Sequence, residues 1–289
     1  MITLRHVLAI NGLLFSLAGA AQEAVTYEVG AGNAAVSTSA IFSAAKGVAA
    51  DSKTAAVVLI HSGGGWSDGT TAPLAKELNA NGFATLELKL FETSRSATPT
   101  ERLVPRVYGA LSYLAGRPDI DKSKIGIAGF SMGAHLSIWA ASKWMTETHS
   151  IAGLKFAAHA PVYPMCWPHT LLAKNVQPQG GVNLSFPKDF LTQWTGAPVK
   201  VFAAGQDDYD DRDPKACQEF VDAISPPYRG AFDIITYADA THGWNQASES
   251  FYARTACKGR GCKNNNVNNP AVSALSTADI IGFFVNKLK

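Results

Sequence analysis

The sequence has little charge bias: 25 Lys and Arg stand against 23 Asp and Glu, a formal net charge of +2. No run of Lys or Arg exceeds a pair, so there is no electrostatic footprint for nucleic acid. Cysteine is sparse, with four in 289 residues. None stands in a C-x-x-C pair, which removes the usual zinc spacing. The apolar run near the N-terminus falls short of the ~20 residues that span a bilayer, and no other segment is expected to be long enough. Neither G-x-G-x-x-G nor a P-loop occurs, so a nucleotide role is not indicated. Internal repeats are absent. What remains is a chain with 47% hydrophobic residues, long enough for one large α/β domain with a substantial core.

Met1–Ala21 reads as a secretory leader: Arg5 and His6 precede the mostly apolar Val7–Leu17, and Ala18-Gly19-Ala20 offers small residues for cleavage. The organisation expected is a signal peptide at 1–20 and one domain over 21–289. The processed protein is then exported, secreted or periplasmic, with no membrane attachment. The cysteines all follow the leader and suit an oxidising compartment. Cys257 and Cys262 flank a glycine loop that can close on itself, which leaves Cys166 with Cys217. Four cysteines allow three pairings, and spacing alone does not choose.

From about residue 55, apolar runs alternate with amphipathic stretches, the pattern of a mostly parallel sheet with helices on both faces. Strands are expected at Ala55–His61, Ala84–Leu90, Lys124–Phe130, Phe156–Ala160, Val199–Ala204 and Phe232–Tyr237, with an early edge strand at Val25–Val29. Helices are expected at Thr71–Ala80, Glu101–Ala115, Met132–Trp144, Pro214–Ile224 and Thr277–Leu288. Between Pro161 and Pro198 lies a long loop-rich stretch, read as a partial cap. Its aromatic residues make Trp167 a candidate substrate contact. Asn264–Asn269 reads as a mobile surface loop.

Gly129-Phe130-Ser131-Met132-Gly133 follows a β-branched apolar run and precedes a helical pattern. That context is a nucleophile elbow, which projects Ser131 from a tight strand-to-helix turn beside free helix N–H groups. A serine hydroxyl needs a base, and the base needs an acid to fix its tautomer. In this arrangement the chain order is Ser, then acid, then His. Only His242, in the loop after Phe232–Tyr237, lies late enough. The acid belongs to the turn after Val199–Ala204. Asp208 is preferred because Gly205 stands three residues before it, with Asp207 and Asp210 as alternatives. Met132 N–H and an amide of the glycine loop after Ala55–His61, Gly63 or its neighbour Gly64, would form an oxyanion hole.

These residues resemble the dienelactone hydrolase family of α/β-hydrolases, particularly exported members with a serine nucleophile. The resemblance spans roughly residues 50–288. It rests on His61-Ser62-Gly63-Gly64-Gly65, Phe91-Glu92-Thr93-Ser94-Arg95, the Ser131 elbow, Gly205-Gln206-Asp207-Asp208 and His242-Gly243-Trp244. It implies an α/β-hydrolase fold and a Ser131–Asp208–His242 triad acting on a small ester or lactone, without cofactor or metal. Arg95 would hold a substrate carboxylate, as an arginine does in that family. Two features depart from the pattern: the family proper carries a cysteine where Ser131 stands, and a glutamate near the place of Ser62. The same triad also serves peptidases and acyltransferases. A binding protein of the same fold, or a metal hydrolase built on the aspartate cluster, completes the alternatives.

Overall fold

The computed structural model describes residues 22–29, 36–49, 52–92, 100–151, 153–179, 182 and 184–289. The proposed leader and Arg95 lie outside these residues. Among the described residues, ten strands and nine α-helices follow the chain as β1 (Gln22–Val29), β2 (Val36–Ser43), β3 (Thr54–Ile60), α1 (Ala72–Ala80), β4 (Ala84–Lys89), α2 (Val104–Gly116) and β5 (Ile120–Phe130). Next come α3 (Met132–Ala140), α4 (Lys143–His149), β6 (Ala158–Val162), α5 (Cys166–Ala173), β7 (Val199–Ala204), α6 (Ala216–Ala223) and α7 (Pro226–Arg229). The chain ends with β8 (Phe232–Tyr237), β9 (Glu249–Ala253), α8 (Ala256–Gly259), β10 (Cys262–Asn266) and α9 (Pro270–Leu288).

Eight strands form one sheet in the order β1-β2-β4-β3-β5-β6-β7-β8. Strands β3 to β8 run parallel, while β1 and β2 add antiparallel at one edge. The sheet is thus mostly parallel, as the alternating pattern implied, and agrees with the α/β-hydrolase fold that the resemblance implied. Strand β3 shows why its sequence is apolar throughout. Ala56, Val58 and Ile60 enter one core cluster with α2, α3 and α6 residues, and Ala55, Val57 and Leu59 enter another with α1 and α9. A strand covered on both faces needs apolar residues at both parities.

Several expected elements differ in detail. The helix after the elbow ends at Ala140, and a second begins at Lys143, capped by Ser142 Oγ accepting from Met145 N. Strand β2 was not anticipated, because Val36–Ser43 is rich in serine and shows weak alternation. Asn264–Asn269 is not a free loop: Asn264–Asn266 belongs to β10, which pairs antiparallel with β9, and Asn264 and Asn266 are buried. The asparagine amides hydrogen bond within the protein, Asn264 to Asn266 and Asn266 to Glu249, so polarity misled the reading. Helix α9 is long and apolar enough to cross a membrane by length and composition, contrary to the expectation that no such segment occurs. It lays Ile280, Phe283, Phe284 and Leu288 on the sheet.

Candidate active site

Ser131 sits between β5 and α3 at φ 52° and ψ −109°. A non-glycine residue there is strained by about 1–3 kcal/mol. The turn closes because its flanking glycines leave no side chain in the way. A Cβ on Gly129 would lie 2.0 Å from Gly133 O, and one on Gly133 2.5 Å from Ile60 O. The Ser131 N–H donates to Val162 O at 3.0 Å, tying the elbow to β6.

His242 comes from the loop after β8, and its Nε2 is 2.7 Å from Ser131 Oγ. Its Nδ1 is 2.8 Å from Asp207 Oδ2, with both side chains buried. An ionised carboxylate only accepts, so Nδ1 carries the proton and Nε2 accepts from the serine hydroxyl. The ring lies between two tyrosines, its centroid 4.6 Å from that of Tyr209 and 5.1 Å from that of Tyr163.

The acid against the histidine is Asp207, not the preferred Asp208. Gly205 and Gln206 N–H groups still pair with Tyr237 and Ala240 carbonyls, carrying the sheet contact past β7. The chain turns only at Asp207, whose Oδ1 also accepts from Tyr209 N at 2.9 Å. Asp208 faces the β9–β10 hairpin. It accepts from Arg212 Nε at 2.6 Å and from Asn265 N and Nδ2 at 2.8 and 2.9 Å. Burial tends to raise its pKa, but these donors outweigh it and hold the carboxyl below the usual value. Asp210 is buried against the N-terminus of α5. It takes the Trp167 N–H at 2.7 Å and the Cys166 N–H at 2.8 Å. Burial, and then the nearby Asp207 carboxylate, push Asp210 up to about 8.

The glycine loop after β3 is braced from below. His61 Nδ1 lies 2.7 Å from Ser62 O and its Nε2 accepts from Leu90 N, so His61 is a buried strut rather than a base. Ser62 Oγ donates to Asp68 Oδ2 at 2.5 Å and accepts from Gly64 N at 3.0 Å. Gly64 N–H is therefore committed. Among the described residues the N–H groups of Gly63 and Met132 have no acceptor.

Trp167, the candidate substrate contact, is buried, with its Nε1 donating to Thr255 O at 3.2 Å. The cap-like stretch is not all loop, since it contains α5. Its Met165, Pro168, His169, Leu172, Val182 and Leu184 line a cavity of about 470 Å³ shared with His135 and Trp139 of α3. No local sequence pattern signals that His135 and His169 pair there, with His135 Nδ1 2.8 Å from His169 Nε2. The disulfides are Cys166–Cys217 and Cys257–Cys262. Cys166, Cys217 and Asp210 form the one clustered donor set among the described residues. Sulfurs joined in a disulfide cannot bind a metal as thiolates.

The structure resembles solved esterases. Esterase 2 of Thermogutta terrifontis phosphorylated by paraoxon superposes with TM-score 0.61 at 14% identity, covering 91% of this chain and 93% of that one. The butyrate-bound form of that esterase gives 0.58 at 14%, covering 93% and 94%. Esterase Pf2001 of Pyrococcus furiosus gives 0.59 at 12%, again covering 93% and 94%. At such identities the likeness concerns the fold. A comparison with curated proteins finds no sequence match. The model of the dienelactone hydrolase family matches residues 42–269, which takes in the glycine loop, the elbow, the aspartate turn and His242. The chain belongs to the dienelactone hydrolase family and is a carboxylester hydrolase of the α/β-hydrolase fold.

Proposed function

We propose that the chain cleaves a small carboxylic ester or lactone through an acyl-enzyme on Ser131, with His242 as base and Asp207 as its orienting acid. The observation that carries this reading is the continuous hydrogen-bonded line from Ser131 Oγ through His242 to Asp207, at 2.7 and 2.8 Å. In the first step Ser131 Oγ attacks the carbonyl carbon while His242 Nε2 takes its proton. Asp207 stabilises the resulting imidazolium. The negative charge on the former carbonyl oxygen falls to the Met132 and Gly63 N–H groups, whose lack of protein acceptors supports that assignment. Collapse expels the alkoxide with the proton from His242, and water then attacks the acyl-serine by the same route in reverse.

A fluorophosphonate probe tests the nucleophile. Labelling should fall on Ser131, vanish in Ser131→Ala and drop sharply in His242→Ala. Esterase turnover persisting in Ser131→Ala would sink the proposal. Export is part of the same reading, supported by the apolar leader in the sequence and by two disulfides that suit an oxidising compartment. Cell fractionation tests it, and a cytoplasmic protein with free thiols refutes it.

A further inference from the structure

The cavity beside α3 holds a polar group that the mechanism does not use. His135 is part of its lining, and the His135 N–H donates to Ser131 O at 3.2 Å. That is one turn, roughly 6 Å along the helix, from the nucleophile. Its wall is mainly apolar, with Trp139 of α3 facing Pro168, Leu172 and Leu184 of the cap. The volume of about 470 Å³ lies within the range of small-molecule sites. His169 completes the wall, and its Nδ1 is buried without a partner among the described residues.

Burial keeps His135 and His169 uncharged, the former pushed down to about 3. A neutral pair shares one proton between Nδ1 of His135 and Nε2 of His169. If His169 donates, its Nδ1 is left as an acceptor; if His135 donates, the same Nδ1 is left as a donor. A hydroxyl satisfies either arrangement, whereas a carbonyl or ether satisfies one. Glu101, on the same wall, disfavours a second negative charge.

We propose that this cavity receives one arm of the ester, an uncharged ring-sized apolar group tipped with a hydroxyl that hydrogen bonds to His169 Nδ1. The inference rests on the serine-hydrolase reading for the position of the scissile bond, but binding tests it without turnover. Ser131→Ala is titrated with methyl 3-phenylpropanoate and methyl 3-(4-hydroxyphenyl)propanoate, then with 2-phenylethyl acetate and its 4-hydroxy counterpart. The first pair probes the acyl arm and the second the alcohol arm. In one pair the hydroxylated ester should bind about tenfold tighter, the worth of one buried hydrogen bond. His169→Phe in the same background should erase that preference. Leu184→Trp, which fills the cavity from its partly exposed rim, should weaken both members. Equal affinities within both pairs overturn the proposal, as does a preference that survives His169→Phe or Leu184→Trp. Failure of the wild type to react with fluorophosphonate overturns the nucleophile instead and leaves these binding results standing.

Discussion

Replacing Asp207 by asparagine should disable the enzyme while leaving it folded, and the structure gives the reason. Asp207 Oδ1 accepts from the Tyr209 N–H, and Oδ2 accepts from His242 Nδ1. In Asp207→Asn one of these oxygens becomes an NH₂. The amide oxygen stays with the Tyr209 N–H, because the reverse orientation sets two donors against each other. The NH₂ then faces Nδ1 and makes it an acceptor, so the proton moves to Nε2 and points at Ser131. A base in that tautomer cannot take the serine proton. In the serine-protease template this substitution lowers kcat about 10⁴-fold, or about 5 kcal/mol of barrier. Asp208→Asn should cost less than tenfold in kcat, since its carboxylate touches Arg212 and Asn265 and not the histidine. The assay is steady-state hydrolysis of p-nitrophenyl acetate, with circular dichroism to check folding. A folded Asp207→Asn within tenfold of wild type, or an Asp208→Asn that falls as far, refutes the reasoning.

Other outcomes follow from packing, charge and cross-links. Gly133→Ala places a methyl 2.5 Å from Ile60 O and should abolish activity or folding, whereas Gly63→Ala, with nothing within 4 Å, should retain the fold; expression and melting curves compare them. His159 is pushed down to about 4, chiefly by burial. The folded state therefore binds fewer protons than the unfolded one between about pH 6.5 and 4, and stability is lost as pH falls through that window. His159→Gln should flatten the denaturation free energy over that range by up to about 3 kcal/mol; a slope equal to wild type counts against the argument. Cys166–Cys217 closes a separation of 51 residues and Cys257–Cys262 one of 5. Chain entropy then assigns about 4 kcal/mol to the first bridge and about 2 to the second. Urea titration of Cys217→Ser and Cys262→Ser should preserve that order.

The strands of the parallel sheet were legible because burial on both faces demands largely apolar runs, continuous in β3. The elbow was legible because two glycines bracket a serine between a strand and a helix. The acid was not. Gly205 suggested counting three residues forward, but the N–H groups of Gly205 and Gln206 remain paired across to Tyr237 and the loop after β8, which moves the side chain that meets His242 back to Asp207. No spacing rule registers how far a strand pairing runs on. Trp167 poses a related difficulty. An aromatic residue in a cap looks the same whether its ring faces ligand or protein, and here Thr255 O takes the indole N–H. The buried histidine pair unites residues 34 apart in sequence, so no local pattern announces it. Asn264 and Asn266 show the converse, polar side chains buried in a chain of amides: Asn264 Nδ2 donates to Asn266 Oδ1 and Asn266 Nδ2 to Glu249, while Asn264 Oδ1 has no partner among the described residues.

The aspartate turn explains how a site can hold five carboxylates between residues 207 and 213 without flying apart. Each is given a different partner. Asp207 takes His242, Asp208 takes Arg212 and Asn265, and Asp210 takes the backbone at the start of α5. Asp211 takes Arg260 and Asp213 takes Lys258, at 2.5 and 2.9 Å. The last two cations sit inside the Cys257–Cys262 loop, where Cys257 and Lys258 both adopt positive φ. The disulfide holds that unfavourable backbone in place, and so keeps the lysine and arginine directed at the turn. Asp210 meanwhile fastens the turn to Cys166, which the other disulfide joins to α6. Both cross-links therefore converge on the segment that orients His242. An acid that must hold an imidazole in one tautomer gains from a rigid turn more than from a stronger charge. This is a physical reason for placing both covalent ties beside Asp207, while the Ser131 turn is held, among the described residues, by sheet pairing and glycine packing.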